Sequence, residues 1–138
     1  TGGNTPNSES SLVAYGGGIY IDDSANTILE NVTIDSNTGI GIQRFYNSTL
    51  TNSTISNNLS GGLANVQNSS LQNVIIDGNK MVPGTVGSEG YNGAGIYFIQ
   101  NSNLTNVTIQ NNETINGDGG GIYNSYGGLI LENEVFHF

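Results

Sequence analysis

Acid–base chemistry has few places to occur in this chain. Its 138 residues hold eleven carboxylates, two bases (Arg44 and Lys80), a single histidine, His137, and no cysteine. Hydrolysis of a glycosidic bond needs two carboxyl groups flanking it, about 5 to 9.5 Å apart. Asp22-Asp23 is an adjacent pair, and Asp35 and Asp77 directly follow Ile34 and Ile76, but neighbouring strand residues face opposite sides. A lyase would need a Lys or Arg base beside calcium-binding acids. Arg44 and Lys80 stand in unlike contexts, and Asp22 and Asp23 read as a solvated turn without a dense Gly-Gly-x-Gly-x-Asp series around them. Thr49-Leu50-Thr51 is a single Thr-x-Thr, too little for an ice-binding row. We therefore expect no catalytic residue, no metal and no cofactor.

Two other residue sets could meet a ligand or carry a modification. Tyr20, Tyr97 and Tyr123 each follow Gly-Ile, which places the Ile inward and the Tyr outside, as sheet-surface residues or as a face that stacks on a sugar or a partner. Asn-x-Ser/Thr sequons occur at Asn31, Asn47, Asn52, Asn58, Asn68, Asn103, Asn106 and Asn112. Of these, Asn58 and Asn112 are expected to be exposed glycan acceptors.

The elements that would position these groups come from a repeat. Leu29-Glu30-Asn31-Val32-Thr33-Ile34 returns at Leu50, Leu71, Leu104 and Leu131, with spacings of 21, 21, 33 and 27 residues. A second pattern alternates with it: Gly18-Ile19, Gly41-Ile42, Gly62-Leu63, Gly95-Ile96 and Gly121-Ile122. Short apolar alternations with Asn or Gly corners, and no 3.6-residue period, read as turns of a β-solenoid rather than helical repeats. The inward set is then Leu29 and Ile34, Leu50 and Ile55, Leu71 and Ile76, Leu104 and Ile109, and Leu131 and Phe136. Asn31, Asn52, Asn73, Asn106 and Asn133 fall where the period of two breaks, so they should turn the chain and stack as an inward-facing amide ladder. The segments 80–92 and 113–118 are expected to be loop insertions, and residues 1–15 an N-terminal strand or cap ahead of a solenoid over 16–138.

Composition narrows the setting. Charged residues make up only 9%, and the formal charge is -9, so nucleic acid and anionic lipid are disfavoured partners. No apolar run approaches the roughly 20 residues of a membrane span. The lack of cysteine, the scarcity of lysine and the wealth of Asn and Thr suit an extracellular or cell-surface protein of a bacterium or archaeon. A chain beginning at Thr1 without a signal-like stretch is expected to be a processed product or an excised segment.

Taken together, GGGIY at 16–20, GAGIY at 93–97 and GGGIY at 119–123, each followed by Leu-x-Asn-x-x-Ile or its variant, resemble a known group. It is that of right-handed parallel β-helix proteins of the polymorphic outer-membrane and autotransporter-passenger type, relatives in shape of the pectate lyases. The resemblance implies an all-β, single-stranded right-handed parallel β-helix, here of about five to six coils of roughly 21 residues. It also implies secretion or surface display and roles in adhesion or structural layers, although some proteins of this shape cleave polysaccharides. Because no capping helix is visible, the end coils should self-associate head to tail into a filament or layer. A carbohydrate-binding domain, with surface glycans as partners of the tyrosine face, is the alternative.

Overall fold

The computed structural model describes residues 17–21, 26–82, 92–115, 117–123, 127–132 and 135–137. Residues 1–15, Asp22, Asp23, Asn124 and Asn133 lie outside them. In the described chain, strands of β-branched and aliphatic residues stack rung upon rung, and their ladder pairings are parallel. Ile19–Tyr20, Ile42–Tyr46, Leu63–Gln67, Ile96–Gln100 and Ile122–Tyr123 form the first sheet in that order. The second sheet is built on Thr49–Ser56 and Ser70–Asp77, flanked by Ile28–Glu30 and Thr33–Asp35 on one side. On the other side lie Ser102–Thr105 and Thr108–Gln110, then Leu129–Glu132 and Val135–His137.

Register follows the repeat. Leu29 pairs with Leu50, Leu50 with Leu71, Leu71 with Leu104 and Leu104 with Leu131, so the enlarged spacings are absorbed without a slip. The inward rows are dry: Leu50, Leu71, Leu104, Ile55 and Ile76 are fully buried, with Ile109 at 1% exposure. Leu29 is only half-buried and Leu131 is 45% exposed, because each belongs to an outer described rung with an in-register neighbour on one side only. Phe136 keeps the register, opposite Ile109.

Each rung bends at residues in the left-handed region. Asn31, Asn52, Asn73 and Asn106 have φ between 49° and 56°, as a turning Asn requires, and Asn73 and Asn106 pass amide bonds along the row. They are nevertheless exposed, not inward. The inner ladder is the other asparagine row. Asn37, Asn58 and Asn79 are at most 2% exposed, and Asn58 Nδ2 donates to Asn79 Oδ1 at 2.9 Å and to the Ile34 carbonyl at 3.2 Å. Its Oδ1 accepts from both the backbone N–H and the amide of Asn37. A left-handed corner aims its own side chain outward, whereas Asn37, Asn58, Asn79 and Asn112 come after the corners at Ser36, Asn57, Gly78 and Asn111 and turn inward.

Glycine makes room for that ladder. A Cβ at Gly41 would sit 2.7 Å from the Gly62 carbonyl and 2.9 Å from Asn58 Nδ2, and one at Gly62 would lie 2.6 Å from the Gly95 carbonyl. A serine row lines another corner: the backbone N–H of Ser48 donates to Ser69 Oγ and that of Ser69 to Ser102 Oγ, each at 3.1 Å.

Two stretches expected to be loops begin as strand. Lys80–Met81 pairs in parallel with Glu113–Thr114, and Lys80 Nζ lies 3.4 Å from Glu113 Oε2. The cause is local: each pair directly follows an inner asparagine, Asn79 or Asn112, whose stacked rungs hold the next residues in register. Residues 83–91 of the first insertion lie outside the described residues.

The inner ladder sets the stability of the stack. Asn58→Ala would take the acceptor from the Asn37 backbone N–H and remove one donor each from Asn79 Oδ1 and the Ile34 carbonyl in a dry corner, and should cost about 2–4 kcal/mol in urea unfolding. Asn52→Gly, at an exposed left-handed corner, should change stability by less than about 1 kcal/mol.

Candidate functional site

The first sheet presents an outward row in which Tyr20, Gln43, Ala64, Tyr97 and Tyr123 follow one another in register. They alternate with the inward residues Ile42, Leu63 and Ile96, as the pleat dictates. Tyr97 and Tyr123 stack with ring centroids 5.9 Å apart and planes at 12°. Phe98 closes the group edge-on, 4.2 Å from Tyr97 and 5.9 Å from Tyr123. Tyr20 does not join them, because Gln43 and Ala64 intervene; instead, the Arg44 guanidinium lies 5.3 Å over its ring. The three tyrosines thus share a row without forming one continuous surface.

Arg44, Asn65 and Phe98 occupy the next position, and all three are left-handed, with φ of 61°, 57° and 56°. The position is a corner, and the inward role passes one residue on to Phe45, Val66 and Ile99, all 1% exposed or less. Between rungs three and four lies a hollow of about 230 Å³ lined by Asn65, Val66, Gln67, Phe98, Ile99 and Gln100. On the outward row, opposite Ala64, Gln43 is 8% exposed and its Oε1 has no hydrogen-bond partner. A shallower groove of about 580 Å³ follows the serine corner past Asn68, Ser70 and Asn103 and contains no aromatic ring.

The second sheet carries the described carboxylates that sequence analysis weighed for catalysis. Asp35, Ser56, Asp77 and Gln110 form one row. Asp35 accepts hydrogen bonds from Ser56 Oγ at 2.6 Å, Asn57 Nδ2 at 2.8 Å and Ser36 Oγ at 2.7 Å. Those donors hold its carboxyl down at about 2, Ser56 contributing most. Asp77 accepts from Asn111 Nδ2 at 2.9 Å and Gln110 Nε2 at 3.2 Å. Among the described residues no group of three His, Asp or Glu comes together as a metal site.

The two expected glycan acceptors are placed the other way round. Asn58 is fully buried in the inner ladder, and Asn112 Nδ2 donates to the Ile76 carbonyl at 2.9 Å, so neither amide is presented to an enzyme. Asn31, Asn52 and Asn106, expected inside, carry their sequons at exposed corners. Sequence analysis also missed Phe98, Gln43, Gln67 and Gln100. Phe98 had a visible signal, since an aromatic residue stands where the third rung has Asn65.

A family model described as right handed beta helix region matches residues 3–89. Neither the comparison with curated proteins nor that with solved structures returns a match.

Because the folded-state pKa of Asp35 lies below its ordinary 3.8, its contribution to stability is present above about pH 4 and lost as pH falls towards 2. Carboxyl NMR titration should place Asp35 near 2, and Asp35→Asn should flatten the stability curve in that acid window. Expression in a glycosylating host should leave Asn58 and Asn112 unmodified by peptide mass mapping.

Proposed function

We propose that this chain, which belongs to the right-handed β-helix family, is a non-catalytic structural or adhesive element of an extracellular surface, assembling head to tail through its end coils. The observation that carries this reading is the leucine row. Leu50, Leu71 and Leu104 are fully buried, but their in-register successor Leu131 is 45% exposed, beside Ile130 at 58%. One more rung laid in register would bury both the leucine row and the edge of Leu129–Glu132 that has no strand partner among the described residues. In this reading the rung comes from the first coil of a second copy, and such a heterologous contact propagates without closing. The finer assignment, to the polymorphic outer-membrane and autotransporter-passenger type, rests on the GGGIY and Leu-x-Asn-x-x-Ile segments. The surface setting rests on the cysteine-free, Asn- and Thr-rich composition.

A second reading is carbohydrate binding by the first sheet, favoured by the stacked rings of Tyr97 and Tyr123. Flat aromatic faces flanked by amides suit sugar rings, whose C–H faces are apolar and whose edges are hydroxyls.

Analytical ultracentrifugation and negative-stain imaging over a concentration series test the leading reading. Growing oligomers or filaments are expected, together with their loss on Leu131→Asp. A monomer at every concentration would overturn it. For the second reading, Tyr97→Ala should abolish retention on a glycan array.

A further inference from the structure

We infer that a second copy seats its first described rung on the last described rung of this chain in one fixed register, Tyr20 on Tyr123, Ile28 on Ile130, Leu29 on Leu131 and Glu30 on Glu132, and that the two facing glutamates weaken this contact in a salt-dependent way. This rests on the head-to-tail reading above, and it names the seam and what regulates it.

The argument begins with a likeness between the two ends. GGGIY stands at 16–20 and again at 119–123, and Ile-Leu-Glu-Asn at 28–31 and again at 130–133; neither segment recurs unchanged between them. In the row that joins Ile28 to Ile130, the rungs between carry Thr49, Ser70 and Asn103. In the row that joins Glu30 to Glu132 they carry Thr51, Gln72 and Thr105. An outward isoleucine and an outward glutamate thus stand on these rows at the two end rungs alone. Ile28 is 77% exposed and Ile130 58%, so neither buries its apolar surface within the chain. The same rungs carry the sheet edges. Ile19–Tyr20 and Ile122–Tyr123 end the first sheet, and Ile28–Glu30 and Leu129–Glu132 each have a ladder partner on one side only among the described residues.

Glycine supplies an independent observation. A Cβ on Gly18 would lie 2.5 Å from the Gly41 carbonyl, and Gly41, Gly62 and Gly95 each meet the carbonyl of the next glycine in the same way. In this column it is the following rung that forbids a side chain. Gly121 continues the column, yet no rung of the first sheet follows it among the described residues. A second copy in the stated register brings its Gly18 carbonyl to that place, which gives Gly121 the same reason to lack a Cβ. The tyrosines fit the same register. Tyr97 and Tyr123, one rung apart, stack with centroids at 5.9 Å, and Tyr20 of the second copy, one rung beyond Tyr123, extends that stack.

The seam also carries a brake. Glu30 and Glu132 are exposed, and in this register they stand one strand spacing apart, about 4.8 Å. Like charges directly opposite each other on a sheet are destabilising, and a charge on an edge strand is a device against indiscriminate pairing. The two bases of the chain stand elsewhere, Arg44 over Tyr20 and Lys80 beside Glu113. The isoleucine and leucine contacts therefore drive the union, and exposed carboxylates that salt can screen oppose it.

The test measures self-association of the full chain by sedimentation at low salt for the parent, Glu30→Lys, Glu132→Lys and the two reversals combined. Each single reversal puts opposite charges across the seam and should tighten association by about tenfold. The combined variant puts like charges there again and should fall back to the level of the parent. Net charge alone would give another order, because each reversal lowers the overall negative charge and the combined variant would then associate most tightly. Added sodium chloride should narrow the gap between the single reversals and the parent; a gap that salt leaves unchanged would overturn the brake. Ile28→Ser and Ile130→Ser, which install the residue found at Ser70, should each weaken association by about tenfold. The melting temperature of the dilute chain should not move, since both side chains are exposed. Single reversals that match the parent, or a combined variant tighter than either, with assembly still abolished by Leu131→Asp, would overturn this seam and leave head-to-tail assembly standing. No association of any variant at any concentration or salt, or association indifferent to Leu131→Asp, would overturn both.

Discussion

The structure depends on stacking at the spacing of a β-ladder, about 4.8 Å per rung, and the inner asparagine corner enforces it. Each amide there bonds to its neighbours on both sides: Asn58 accepts from Asn37, donates to Asn79 and also reaches the Ile34 carbonyl. An amide can do this because it carries a donor and an acceptor on one planar group, so a column of identical residues satisfies itself. The adjoining glycine column makes the close approach of backbone and amide feasible. The larger insertions follow this corner, and the spacings of 33 and 27 residues leave the leucine register intact.

A stack of this kind also dictates composition. Whatever stands at one position on a rung has its own equivalent about 4.8 Å away on the next, so a row of like charges would repel itself along its whole length. The acidic row of the second sheet avoids this by alternation, with Ser56 between Asp35 and Asp77 and Gln110 after them. The neutral members also donate hydrogen bonds to the carboxylates. A charged fraction of 9% is thus a consequence of the architecture as much as of the environment.

Because rungs copy one another, function is to be sought where a row departs from its pattern. The inward rows hardly vary: Leu, Ile, Val and Ser repeat with near-zero exposure. The departures collect on the outer face of the first sheet, where Tyr, Gln and Ala share one row and Arg, Asn and Phe share the next. A surface assembled from such exceptions is cheap to vary, since each sits on a backbone already held by its neighbours.

Much of this was legible in one dimension. The Leu-x-Asn-x-x-Ile and Gly-Ile repeats determine an all-β parallel stack, its register and its leucine and isoleucine rows, because in-register rows are the only way such a repeat buries its apolar side. The placement of the asparagines was not. Asn31, Asn52 and Asn73 recur at the same period as Asn37, Asn58 and Asn79, and both rows can turn a chain or form an amide ladder. Only the closed path of the coil decides that the first row takes the left-handed corners and points out, while the second, one residue past a corner and facing glycine, points in. The same holds for Arg44 and Phe98. Their spacing is visible in the chain, but that they are strained and bracket Asn65 follows from backbone dihedrals that the neighbouring rungs impose.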